Sequence, residues 1–193
     1  MNVKSIPNIL TASRIVLAIA VFFALAAAAA HGHDTDAPGA FSPLVLFAFF
    51  AFVVCALTDF FDGWLARKLD AQSAWGAILD PIGDKIAVLA AILGLLLLEP
   101  RFGIAIPGFL ILFREMFVSG LREAGAGRGL KFPVTQLAKW KTTVQLVALS
   151  LEILAASAHL SGLVLTSDIL LWVAALMTLW TGAQYMLAAA RQL

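Results

Sequence analysis

Charge is scarce in this chain of 193 residues: 13% of them are charged, 62% are hydrophobic, and the mean hydropathy is +0.95. A water-soluble domain carries about twice that share of charge and is about half apolar. One core cannot hide so much apolar surface, so the remainder must face lipid. Cysteine is nearly missing. Cys55 stands alone, which excludes a disulfide within the chain, and it sits in an apolar run where packing is its expected role. Cysteine and histidine do not cluster, which argues against zinc or haem. His31 and His33 share the stretch HGHDTD with Asp34 and Asp36, a grouping read as loop surface. Internal repeats are absent, and the alanine run at 26–30 is the sole low-complexity stretch. A formal net charge of +1 singles out no partner and gives no reason to expect nucleic acid. Where the charges fall is more telling.

About 20 mostly apolar residues take a helix across the hydrocarbon core of a bilayer. Six stretches qualify, at 6–30, 43–67, 75–98, 102–124, 139–158 and 167–190, separated by the polar or turn-rich breaks HGHDTDAPG, RKLDAQS, EPRFG, GAGRGLKFPVTQ and HLSG. The expected fold is therefore all-α: a polytopic membrane protein of six transmembrane helices, forming one domain over 1–193. Lys4, the apolar stretch after it and the sequence AAAAAH also resemble a signal peptide. Arg14 interrupts that stretch, and cleavage would leave an odd number of spans, so an uncleaved first span is expected. Lysine and arginine mark the cytoplasmic side. With both termini in the cytoplasm, the inner loops hold Arg67, Lys68, Arg122, Arg128, Lys131, Lys139 and Lys141. Lys4 and Arg191 lie at the termini on that side, and Arg14, Lys85 and Arg114 fall nearer the inner ends of their spans. Only Arg101 lies outside. Trp64 and Trp75 suit anchoring at the interface.

Spans two and three carry Asp59, Asp62, Asp80 and Asp84. A lone carboxylate in a span costs about 2.5–3.5 kcal/mol on the gentler insertion scale, so something positive must compensate four of them. Asp59 and Asp62 are three apart and Asp80 and Asp84 four apart, so each pair shares a helix face. The link at 67–74 returns the chain over the same surface, which lets the two acidic faces meet. Hard divalent cations suit such oxygen donors, and two of them can bridge a diphosphate. Gly63 and Ala66 clear volume beside the acids, Gly76 opens the next helix, Gly83 thins its face, and Pro81 loosens the backbone after Asp80. Two blander readings compete. One is a structural polar network with Arg67, Lys68 and Lys85. The other is a proton or ion pathway, which would spread acids through the membrane depth rather than confine them to two helices near one surface.

A second concentration of charge lies at Arg114, Arg122, Arg128, Lys131, Lys139 and Lys141. Fixed cations favour an anionic substrate, a phosphate monoester above all. Positive inner loops are the rule in membrane proteins and explain many of these residues on their own. Arg114 is the exception because it lies within an apolar span, where burial is costly. Glu115 and Glu123 are placed to offset part of this charge.

The string Asp59-Phe-Phe-Asp62-Gly63-Trp-Leu-Ala66-Arg67, then eight residues to Gly76, three to Asp80 and three to Asp84, resembles the signature of the CDP-alcohol phosphatidyltransferase family at all eight fixed positions. The resemblance implies that a CDP-linked lipid donates its phosphatidyl group to an alcohol while CMP leaves. It implies that Asp59, Asp62, Asp80 and Asp84 hold two Mg²⁺ or Mn²⁺ ions, with Asp84 also the general base. Asp62, Gly63, Ala66, Arg67 and Gly76 would bind the cytidine diphosphate of CDP-diacylglycerol. The segments IPNILTASR at 6–14, REMFVSGLRE at 114–123 and KWKTTVQ at 139–145 are similar to members that use sn-glycerol 3-phosphate, although Ala138 replaces their usual glycine. That acceptor would meet Arg114, Arg122, Lys139 and Lys141. Inositol phosphate and phosphatidylglycerol are the alternative acceptors. The resemblance further implies a homodimer in a bacterial inner membrane with its site facing the cytoplasm. Asn8, Thr11 and Arg14 share one helix face near that site, where they either reach the diphosphate or bond to neighbouring helices.

Overall fold

The computed structural model describes residues 6–31, 42–69, 74–127, 136–158 and 161–192, with side chains at 11–31, 42–58, 79, 81–127, 137, 140–157 and 162–192. Six helices make up the described chain: α1 (Ile6–Ala30), α2 (Pro43–Leu69), α3 (Ala74–Leu98), α4 (Phe102–Ala126), α5 (Gln136–Ala158) and α6 (Ser161–Ala190). Each coincides with one expected span. The helices overrun the apolar stretches where polar flanks can satisfy themselves on their own backbone. α6 starts six residues before the expected 167, and there Thr166 Oγ1 donates to the Gly162 carbonyl at 3.1 Å and Ser167 Oγ to that of Val164 at 3.0 Å. Among the described residues there is no strand.

The outer surface is unlike that of a water-soluble protein. Large apolar side chains point outward, among them Phe23, Phe50, Leu97, Phe109, Leu165 and Trp180, while Arg14, Arg114, Lys141, Gln145, Glu152 and Thr181 are buried. Water would penalise that surface at roughly 25 cal/mol per Å²; hydrocarbon does not. Among the described residues four stretches are long and apolar enough to cross a membrane: Thr11–Ala30, Pro81–Leu98, Phe102–Ala126 and Gly162–Ala190. α2 adds the shorter apolar stretch Pro43–Thr58. The chain is a multi-pass membrane protein. α5 is the most polar of the helices, and it turns Lys141, Gln145 and Glu152 inward.

The helices form a closed ring in the order α1, α3, α4, α6, α5, α2, with α3 also touching α5 and α2 across the middle. Small residues let the backbones approach. A Cβ on Gly94 would lie 2.7 Å from Leu25 Cδ1, and one on Gly108 would lie 2.8 Å from Ile92 Cγ2. Successive helices alternate in direction, so the start of α1 and the end of α6 lie at one end of the ring. Polar contacts gather at both ends and are sparse between them.

The end opposite the start of α1 is tied by one cation. Arg101, at the N-cap of α4, pairs with Glu152 of α5 and Asp168 of α6, and with Glu99 at 3.3 Å. Burial alone would lower the Arg101 pKa, but Glu152, Asp168 and Glu99 together raise it above the ordinary arginine value. Gly103 makes room for the cluster, since a Cβ there would fall 2.5 Å from Asp168 Oδ1. Glu152 is wholly buried, so removing its cation strands a carboxylate, at a cost of about 3–5 kcal/mol. Arg101→Leu should therefore lower the melting temperature in detergent by several degrees, and Arg101→Lys by less. Equal melting of Arg101→Leu and the parent would show that the cluster holds nothing together.

Candidate active site

Asp59 and Asp62 fall on α2, and Asp80 and Asp84 on α3. The side chains of Asp59, Asp62, Gly63, Ala66, Arg67, Gly76, Asp80 and Lys139 lie outside the described residues. Asp84 is described, and its carboxylate is half exposed. Arg14 of α1 donates from Nη1 to Asp84 Oδ1 at 2.8 Å, and the arginine side chain is only 1% exposed. Thus α1 supplies a buried cation to the acid on α3. The Arg14 shaft runs past Gly83, where an added Cβ would lie 3.6 Å from Arg14 Cδ. That is an ordinary contact, so the thin face anticipated at Gly83 accommodates Arg14 without requiring glycine. Cys55 donates from Sγ to the Arg14 carbonyl at 3.7 Å, which agrees with a packing role.

Beside Asp84 opens a cleft of about 920 Å³, lined by α3, α4, α5 and α6 through Asp84, Lys85, Arg114, Glu115, Ser119, Arg122, Glu123, Lys141, Thr142 and Tyr185. The structure therefore gathers three of the sequence-nominated cations, Arg114, Arg122 and Lys141, around one opening next to Asp84. Their partners differ in kind. Arg114 donates from Nε to the Thr178 carbonyl at 2.9 Å, from Nη2 to Thr181 Oγ1 at 3.0 Å and from Nη1 to Glu115 Oε1 at 3.1 Å. Lys141 donates to the same Glu115 oxygen. One glutamate thus serves two buried cations. Arg122 instead donates from Nη2 to the Tyr185 hydroxyl at 2.7 Å, and Lys85 donates to Ser119 Oγ. A hydroxyl orients a cation without cancelling its charge. Lys85, weighed from the sequence as one partner for the aspartates, has Ser119 as its partner among the described side chains.

Sequence reasoning missed the contribution of α6. Thr178, Thr181 and Tyr185 recur at a spacing that places them on one helical face inside an otherwise apolar stretch. That face receives Arg114 and Arg122. Gly182 belongs to it as well, since a Cβ there would sit 3.0 Å from Arg114 Cγ. Among the described residues, no group of three His, Cys, Asp or Glu side chains is gathered as a metal site. Asp84 offers a carboxylate that is 47% exposed and lines the cleft, a hard oxygen donor of the kind a divalent cation accepts.

Fold and cleft together define a polytopic membrane protein with a cation-rich site at one end of its helix ring. Residues 4–180 match the sequence model described as CDP-alcohol phosphatidyltransferase. The chain is 42% identical over 165 residues to a protein of Cereibacter sphaeroides, covering 82% of this chain and 68% of that one. It is 44% identical over 135 residues to one of Rickettsia bellii, covering 69% and 74%. It is 36% identical over 137 residues to one of Haemophilus influenzae, covering 70% and 72%. All three relatives are named CDP-diacylglycerol–glycerol-3-phosphate 3-phosphatidyltransferase. The chain belongs to the CDP-alcohol phosphatidyltransferase family and is an enzyme.

The shared glutamate makes Arg114, Glu115 and Lys141 one unit. Glu115→Gln and Lys141→Met should each lower stability in detergent. The double variant should lose less than the two losses added, with a coupling of about 0.5–3 kcal/mol. Strict additivity would mean that Glu115 does not hold Lys141.

Proposed function

We propose that this enzyme transfers the phosphatidyl group of CDP-diacylglycerol to sn-glycerol 3-phosphate, giving phosphatidylglycerophosphate and CMP. The observation that carries the reading is the cation-rich cleft opening beside Asp84. A phosphorylated acceptor can lodge its phosphate among Arg114, Arg122, Lys139 and Lys141 and present its hydroxyl to the acid. The names of the relatives support the same donor and acceptor.

In this scheme the acceptor hydroxyl oxygen bonds to the phosphorus that carries the diacylglycerol, and the bond from that phosphorus to the CMP oxygen breaks. The hydroxyl proton passes to the Asp84 carboxylate, a transfer that contributes about 10²–10⁴-fold when the base is within reach. Arg14 holds Oδ1 of that carboxylate and so fixes its aim. Asp62, Gly63, Ala66, Arg67 and Gly76 bind the cytidine diphosphate, as the family signature suggests. Asp59, Asp62, Asp80 and Asp84 would hold two Mg²⁺ or Mn²⁺ ions, which supply positive charge to the diphosphate and the leaving CMP. Of the acceptor cations, Arg114 and Lys141 act as a rigid pair through Glu115, whereas Arg122 is oriented by the Tyr185 hydroxyl.

The same reading includes six spans with both termini in the cytoplasm of a bacterium, in its inner membrane. It is supported by the lysines and arginines of the links assigned to the inner side from the sequence, to which Arg101 is the exception. Such an orientation lets a lipid donor keep its tails in the bilayer while a water-soluble acceptor arrives from the cytosol. A homodimer through the membrane belongs to this proposal on family resemblance alone.

Purified enzyme given CDP-diacylglycerol should release CMP with sn-glycerol 3-phosphate and not with glycerol, inositol phosphate or phosphatidylglycerol. Chelation of divalent ions should abolish turnover, and Mg²⁺ or Mn²⁺ should restore it. Asp84→Asn should lower kcat at least about 100-fold. Release of CMP with another acceptor only, or full activity of Asp84→Asn, would overturn the acceptor or the base respectively.

A further inference from the structure

Tyr185 is the chain's single tyrosine, and it is 5% exposed where α6 reaches the cleft. Its hydroxyl accepts from Arg122 Nη2 at 2.7 Å, and its ring lies 4.8 Å from the Arg122 guanidinium carbon. The guanidinium of Arg114 approaches the same ring at 5.8 Å. One side chain therefore holds Arg122 by a hydrogen bond and by its ring, and the same ring also meets the neighbouring arginine. An aromatic face attracts a guanidinium through its quadrupole and leaves the charge intact, whereas a carboxylate would pair with it and cancel its field. Arginine also loses much rotamer freedom when it binds an anion. A partner that fixes the side chain beforehand reduces that loss at the moment of binding.

We propose that Tyr185 is a positioning residue that holds Arg122 preoriented, through a hydroxyl and a ring rather than a carboxylate, for the phosphate of the acceptor, and so sets the preference for a phosphorylated alcohol. This rests on the proposed acceptor and goes further by assigning the selectivity to an α6 side chain outside the family signature. Arg114 cannot serve in the same way, because Glu115 and the α6 backbone already hold it.

The test uses the full-length enzyme with Tyr185→Phe, which keeps the ring and removes the acceptor oxygen, and Tyr185→Leu, which removes both. Tyr185→Phe should raise KM for sn-glycerol 3-phosphate about 5- to 10-fold, the scale of one ordinary hydrogen bond. Its kcat should stay within about 2-fold and KM for CDP-diacylglycerol should not change. Tyr185→Leu should shift KM further in the same direction. In an Arg122→Gln background Tyr185→Phe should add little, since the residue it positions is gone. Equal changes in both KM values, a fall in kcat alone, or a full additional effect in the Arg122→Gln background would overturn the proposal. Should the parent enzyme release no CMP with sn-glycerol 3-phosphate, the acceptor reading fails by itself, and inorganic phosphate then decides the role of Tyr185. Thermal stabilisation by phosphate that needs several-fold higher concentrations in Tyr185→Phe sustains it; identical titrations overturn it. If Tyr185→Leu does not fold, Tyr185→Phe alone decides between these outcomes.

Discussion

Charge buried away from water has to be answered by charge or hydrogen bonds close by, and that requirement organises this molecule. In a chain whose outer surface faces lipid, each ionised side chain has either to reach an end of the helix ring or to find a partner inside it. Arg14 finds Asp84, Arg114 and Lys141 find Glu115, and Glu152 finds Arg101. These pairs join α1 to α3, α4 to α5, and the α3–α4 link to α5 and α6. Each therefore fixes the register of helices whose apolar faces alone would slide past one another in lipid with little change in energy.

The two ends of the ring use the same chemistry to opposite effect. At one end Arg101 is surrounded by three carboxylates, and the result is a closed knot that binds neighbouring helices. At the other end, among the described residues, four cations and three carboxylates line the cleft, and several of the cations' partners are neutral. A closed knot suits structure. An open cleft with surplus positive charge suits an anionic substrate, and a site built where helices end leaves the rigid middle of the ring undisturbed. The scaffold can thus remain packed through Ala18, Leu25, Ile92 and Leu149 while the charged end exchanges ligands with water.

Much of this was legible in the sequence because it depends on local runs. Six apolar stretches give six helices, the polar breaks give the links, and an arginine inside a span announces a buried partner, as Arg114 confirms. The family signature is likewise contiguous in sequence. Pairing was not legible. Arg14 meets Asp84 across 70 positions, Arg122 meets Tyr185 across 63 and Lys141 meets Glu115 across 26, and no periodicity encodes such distances. The order of helices around the ring was equally hidden, since in lipid the inner and outer faces of a helix are both apolar. Tyr185 escaped notice for a related reason. One aromatic residue in an apolar span reads as packing until a cation is seen against it, and the hint lay in its register with Thr178 and Thr181. The carboxylates of Asp59, Asp62 and Asp80 lie outside the described side chains, so their chemistry rests on the signature.

The choice of partner decides what a tethered cation can still do. A carboxylate such as Glu115 offsets part of the field of Arg114 and Lys141, and the trio becomes a fixed wall with one positive charge in excess. A hydroxyl or an aromatic face fixes direction and leaves the field in place. Lys85 on Ser119 and Arg122 on Tyr185 are held in that second way. Both line the cleft that also receives Asp84, the acid expected to take a proton from the acceptor. A substrate phosphate entering there would replace no ion pair and would meet cations already oriented, so little of its binding energy would go into rearranging the site. Its hydroxyl could then approach Asp84 while the phosphate stays anchored, the geometry that an in-line displacement at phosphorus demands. By this reasoning the neutral partners of the cleft matter to selectivity as much as the charges they hold.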